Sequence, residues 1–178
     1  YKTDFVNNLR LWEAKSTAPV DMNYYSTGEY LRAVESQAMA EVISKVLYPA
    51  DNHREGKSLR LKQQYFFVSA TIQSIFRKHL AHYGTLYNFH EKHVIQINDT
   101  HPTLAIPEMM RLLLDEQGMS WDDAWYITTH TVAYTNHTVL AEALERWPQD
   151  LVQELLPRIW MILCEINDRY LAELREFF

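Results

Sequence analysis

The ten residues His93–Pro102, HVIQINDTHP, constrain the fold of this chain more than any other stretch. His93 to Asn98 is a short β-rich run, and it passes directly into Asp99 and Thr100, which suit a cap, and Pro102, which suits a first helical turn. Both flanks are helical in pattern. Upstream, Leu61, Tyr65, Val68, Ile72, Ile75 and Leu80 recur at helical spacing, while Phe66, Phe67 and Phe76 widen the apolar arc until little of that helix is left polar. Downstream, a helix is expected from about Thr103 to Gln117, closed by Gly118. A strand handing over to a helix among other helices belongs to an α/β arrangement.

The remaining pattern adds mostly helices. Val6–Ala14 alternates, with Leu9 and Leu11 on one side and Arg10 and Trp12 on the other, which predicts a strand. Tyr24–Leu47 is helical in composition, with Ser26 or Thr27 as cap, Val42, Ile43, Val46 and Leu47 as its apolar stripe, and Pro49 as its stop. The polar stretch YPADNHREGK, Tyr48–Lys57, is expected to be an exposed loop. Ser120 and Asp123 form a capping pattern for a helix reaching about Val132, and YTNHT then breaks that pattern. Leu151–Leu156 and then Ile159, Ile162, Ile166, Tyr170 and Leu174 continue at helical spacing, with Pro157 at a helix start. The chain thus opens in a strand and ends on Phe177 and Phe178, and reads as one piece of a larger α/β protein whose sheet it does not complete. No linker divides it.

Composition narrows the partners. With 178 residues, 47% hydrophobic and 22% charged, there is apolar mass for one sizeable core. The net charge of -6 is spread over interleaved acids and bases, so no Lys/Arg stripe is available for nucleic acid or an anionic membrane. The single cysteine, Cys164, is read as a small core hydrophobe suited to a reducing compartment, and the charged first residues do not read as a secretory leader. A cytoplasmic protein is expected.

Chemistry-bearing residues concentrate in two runs. Asn98-Asp99-Thr100-His101-Pro102 is a polar turn at the carboxyl end of a strand, where open α/β sheets place ligand contacts. A plain N-cap would explain Asp99, Thr100 and Pro102 equally well, but capping does not require His101. His137 lies in Tyr134-Thr135-Asn136-His137-Thr138, a run that can orient sugar hydroxyls or simply satisfy a turn. His90 and His93 lack the i, i+4 spacing of a zinc-binding helix, and no metal is assigned. There is no glycine-rich phosphate loop and no activated nucleophile.

Taken together, NNLRLWEAK, VLYPADN, EGKSLRLKQQYF, IQINDTHPTLAIPEMMRLL, AYTNHTVLAEALERWP and LLPRIW followed by EIND resemble the glycogen, starch and maltodextrin phosphorylases, in that family's order and approximate spacing. The resemblance covers essentially the whole chain. It implies a two-domain fold of the glycosyltransferase-B kind, of which this part is mostly α-helical with a few short strands. It also implies an allosteric glycosyltransferase that uses pyridoxal 5'-phosphate and cleaves non-reducing ends of α-1,4-glucans with inorganic phosphate to give glucose 1-phosphate.

The resemblance places residues 1–178 in the N-terminal half. The cofactor's lysine and the groups that hold the phosphates are then expected in a separate C-terminal half, so that no catalytic or cofactor-binding residue lies in this chain and it is inactive alone. His137 resembles the histidine that contacts bound glucose, while Asp99, His101, Arg60, Ala143 and Glu145 resemble residues lining the same pocket. Asp51 and Asn52 resemble the mobile gate loop, where Asp51 repels the incoming phosphate and Asn52 approaches the sugar. His53 and Arg54 stand where regulated animal members carry stacking aromatics. The alternative is a non-catalytic helical module that binds carbohydrate or serves as a scaffold. Surface normally covered by the C-terminal half is expected to drive self-association into a homo-oligomer.

Overall fold

The computed structural model describes residues 2–177, with Tyr1 and Phe178 outside the described residues, and it divides into two units between Pro49 and Ala50.

The first unit holds two helices, α1 (Met22–Ser26) and α2 (Tyr30–Lys45). The expected strand over Val6–Ala14 does not form: Leu9 and Leu11 are each 87% exposed. A strand needs a hydrogen-bonded neighbour, and among the described residues the one sheet pairs other segments. What fixes this stretch is side-chain chemistry at its end, where the Ala14 N–H donates to Ser44 Oγ at 2.9 Å. The helix expected over Tyr24–Leu47 is likewise two helices, because Gly28 takes a left-handed φ of 84° that breaks the run. Asp21, rather than Ser26 or Thr27, caps the start, its Oδ1 accepting the Asn23 N–H at 2.9 Å. Ser26 and Thr27 instead donate back to the carbonyls of Met22 and Asn23. Val46 and Leu47 fall beyond the end of α2 and are exposed.

The second unit is built on α3 (Arg54–Tyr83). Its start cuts the expected loop short at His53, whose Nδ1 accepts the Gly56 N–H at 3.0 Å. Glycine is required at 56, since a side chain there would run into the carbonyl of Ala50. Leu61 joins one apolar cluster with Leu104, Leu151, Val152 and Ile159. Val68, Ile72 and Phe76 join the larger one, with Phe89, Ile97, Met109, Met110, Leu113, Ile127 and Ile162. One helix therefore runs through both cores, and each fully buried side chain contributes about 1.5–3 kcal/mol.

After α4 (Phe89–Lys92) comes β1 (Ile95–Asn98), as the sequence predicts. The helix after DTHP starts two residues later than expected: α5 (Ala105–Arg111) follows a turn in which Thr103 Oγ1 donates to the Thr100 carbonyl at 2.7 Å. It continues as a single π turn over Leu112–Glu116, and Gly118 at φ 66° ends the run. Ser120 caps α6 (Trp121–Thr131) by accepting the Asp123 N–H at 3.1 Å. The sequence reading gives no strand after α6, yet β2 (Val132–Thr135) pairs in parallel with β1, Ile97 facing Tyr134 and Asn98 facing Thr135. The helices α7 (Gln149–Leu155) and α8 (Pro157–Phe177) complete the unit, with Pro157 at the helix start.

A buried polar knot ties α3 to α5. The Glu108 carboxylate accepts Tyr65 Oη at 2.9 Å, Ser69 Oγ at 2.6 Å, and Arg111 through Nε at 2.8 Å and Nη2 at 2.9 Å. Burial, with the adjacent carboxylate, pushes the Tyr65 phenol up to about 12. Every donor that Glu108 needs is supplied, so its burial is tolerated.

Candidate functional site

The two strands end side by side, and the residues just beyond their carboxyl ends build the site. From β1 come Asp99, Thr100 and His101, and from β2 come Asn136, His137 and Thr138. The carboxyl ends of parallel strands are where such sheets present ligand-contacting loops.

Asp99 takes a left-handed φ of 63°, a conformation that aspartate tolerates better than most residues. Its backbone N–H donates to the Thr135 carbonyl at 2.8 Å and so prolongs the sheet by one bond. The turn aims its carboxylate at the second strand's loop, where Oδ1 accepts the His137 backbone N–H at 3.1 Å and lies 3.2 Å from His137 Nδ1. A proton on Nδ1 therefore faces the carboxylate. The His137 backbone N–H, and then its ring, hold the Asp99 carboxyl below the usual carboxylate range.

On the other side, Arg60 of α3 donates to Glu145 Oε1 through Nε at 3.1 Å and Nη2 at 2.9 Å. Arg60 Nε also lies 3.9 Å from Asp51 Oδ2. Glu145 follows a single 3-10 turn, Ala141–Ala143, that lies along the wall.

These groups surround an open cavity of about 850 Å³. Asp51, Arg60, Asp99, His101, His137, Ala143 and Glu145 all line it, so seven of the eight residues expected from the sequence converge on one place. Asn52 is exposed and is not among the lining residues. Lys57, Thr138, Glu142, Arg146 and Trp147 line it too and were not anticipated. Lys57 was open to inference, because it stands three residues before Arg60 and so shares that helix face. The other four depend on the path of the chain after β2. The cavity mixes carboxylates (Asp51, Asp99, Glu142, Glu145) with cations (Lys57, Arg60, Arg146), which suits a ligand rich in hydroxyl groups.

Among the described residues no cluster of three or more His, Cys, Asp or Glu side chains is arranged to hold a metal ion, and no helix is long and apolar enough to cross a membrane.

Comparison with known proteins gives one family. The carbohydrate phosphorylase profile matches residues 1–178. The chain is 51% identical to the glycogen phosphorylase of Chlamydia pneumoniae over 173 residues, covering 97% of this chain and 21% of that protein. It is 51% identical to the glycogen phosphorylase of Bacillus subtilis over 170 residues, 96% of this chain and 20% of the relative. To the muscle form of human glycogen phosphorylase it is 50% identical over 186 aligned positions, covering 100% of this chain and 22% of the relative. The chain therefore spans about a fifth of the length of the relatives it matches.

Proposed function

The chain belongs to the carbohydrate phosphorylase family, and from that premise we propose that it forms one wall of the glucose site, with the gate loop, of an α-1,4-glucan phosphorylase. The parent's reaction is phosphorolysis of a non-reducing glucan end to glucose 1-phosphate, and its partners are the glucan and inorganic phosphate. Residues 1–178 are part of the N-terminal half of a two-domain protein of the glycosyltransferase-B kind. That protein works in the cytoplasm, and this chain alone, with the surface of its missing half uncovered, forms a homo-oligomer.

The observation that carries this reading is the convergence of Asp51, Arg60, Asp99, His101, His137, Ala143 and Glu145 on one cavity. These positions are scattered over 95 residues of sequence, and a scaffold has no need to gather their polar side chains. In the proposed roles, His137 contacts the sugar from an orientation fixed by Asp99. Asp51 deters phosphate until the gate moves, and Asn52 approaches the sugar from the same loop.

The family's pyridoxal phosphate does not fit this cavity. Four carboxylates line it against three cations, and Arg60 is already taken up by Glu145, so Lys57 and Arg146 face an excess of acid that disfavours the cofactor's phosphate dianion. The C-terminal half of the parent supplies that group and its lysine, and no step of the chemistry is assigned to residues of this chain. Replacing His137 with alanine in the whole enzyme tests the reading: KM for maltoheptaose should rise by about tenfold, the loss of roughly 1.4 kcal/mol of binding. An unchanged KM would remove His137 from the sugar site.

A further inference from the structure

We infer that Glu145 is a positioning residue that locks the chain after β2 into the cavity wall and does not itself bind the sugar, an inference that rests on the phosphorylase reading of the site. Both of its carboxylate oxygens are engaged by protein. Oε1 accepts Arg60 Nε at 3.1 Å, Arg60 Nη2 at 2.9 Å and Gln64 Nε2 at 2.8 Å, while Oε2 accepts Thr100 Oγ1 at 3.3 Å. The Glu145 side chain is 13% exposed and that of Arg60 is 17% exposed.

The segment that carries Glu145 has little else to hold it. Residues 141–144 and Arg146 are all exposed, and among the described residues the backbone contributes the bonds of one short turn, from Ala143 to Leu140 and from Leu144 to Ala141, after Leu140 donates to Thr138 Oγ1. Trp147 packs on the cluster around Leu61, which anchors the far end. Beyond His137, which Asp99 holds to the β1 turn, Glu145 ties the wall to α3 through Arg60 and Gln64, and to the β1 turn through Thr100. Thr100 in turn adjoins Asp99, which holds His137. One connected path therefore runs from α3 to the proposed sugar-contacting histidine: the bonds of Glu145 to Arg60, Gln64 and Thr100 are half-buried, so losing Glu145 leaves its partners unsatisfied, while the backbone step from Thr100 to Asp99 and the exposed Asp99–His137 contact complete it.

The test uses the whole enzyme that carries this chain, free of ligand, with hydrogen exchange read over residues 141–146 and kinetics read separately on glucan. Glu145→Ala should speed exchange there by about tenfold and raise KM by about tenfold, with kcat changed less than about threefold. Glu145→Gln retains an acceptor oxygen and should recover much of both losses. Thr100→Val guards against a Glu145 variant that fails to fold. Thr100 does not line the cavity, so faster exchange and a raised KM in that variant cannot come from a lost sugar contact. Unchanged exchange in Glu145→Ala and Thr100→Val overturns the inference, and a raised KM beside it makes Glu145 a direct sugar ligand. If the wild-type enzyme shows no phosphorolysis, the functional reading fails, while the exchange data still decide the positioning role.

Discussion

Asp99 Oδ1 takes both the backbone N–H of His137, at 3.1 Å, and a position 3.2 Å from its ring Nδ1, so one carboxylate oxygen sets where this histidine sits and which way its ring faces. The arrangement depends on the left-handed turn at Asp99 and on the parallel register that sets Asn98 beside Thr135. In the proposed glucose site His137 is then oriented before any sugar arrives, which lowers the ordering cost of binding.

Asp99→Ala should weaken binding more than Asp99→Asn. Alanine tolerates the left-handed turn poorly and releases both His137 contacts, whereas asparagine keeps the turn and one acceptor oxygen. In the whole enzyme, KM for maltoheptaose should rise about tenfold for alanine and about threefold for asparagine. Equal effects would show that orientation of His137 is not what Asp99 supplies. The depressed carboxyl also sets a pH limit: its folded value lies below its unfolded one, so its contribution is present above about pH 4 and is lost as pH falls through the folded value.

Arg111→Met should be among the more damaging single changes, because it leaves the buried Glu108 carboxylate without its bidentate partner. Breaking such a pair costs about 3–5 kcal/mol. The double variant with Glu108→Met should recover part of that. Urea denaturation of the chain gives both numbers, and a single-variant loss below about 1 kcal/mol would contradict the account.

Stability should fall on mild acidification because of a histidine pair. His93 Nε2 lies 3.0 Å from His79 Nδ1, and His79 Nε2 lies 2.9 Å from Asn88 Oδ1. The amide oxygen requires a proton on His79 Nε2, so His79 Nδ1 is left to accept from His93 Nε2. Burial, then the neighbouring His79, lowers the His93 pKa. The folded state thus binds this proton less tightly than the unfolded state. Stability is complete above the unfolded value of about 6.5 and declines as pH falls below it. His93→Gln should flatten the dependence of the urea midpoint on pH below that value, and a slope unchanged by the substitution would refute the assignment.

The isolated chain should self-associate. Its parallel sheet has only two strands among the described residues, β2 is exposed along most of its length, and Val139 and Leu140 beyond it are exposed apolar side chains. Sedimentation at micromolar concentration should give a dimer or larger species, and a monomer would contradict this.

Much of the second unit was legible from the sequence because its signals are local. The apolar period of Leu61, Val68, Ile72 and Phe76, the Ser120 cap, the Gly118 stop and Pro157 all sit where the structure uses them. What could not be read locally was pairing. Residues 6–14 alternate like a strand but have no strand beside them among the described residues, while Val132 reads as the end of a helix and Tyr134–Thr135 as a break, and Val132–Thr135 becomes a strand because β1 lies alongside. The site divides the same way. The family pattern named Asp99 and His137, but Lys57 and Arg146 reach the cavity through the paths of α3 and of the chain after β2.

The most direct measurement is release of glucose 1-phosphate from maltoheptaose and inorganic phosphate by the whole protein that carries this chain, loaded with pyridoxal phosphate, beside the chain of residues 1–178 alone. The account predicts steady release by the whole protein and none by the chain. Glucose 1-phosphate from the chain alone, or none from the loaded whole protein, would contradict it.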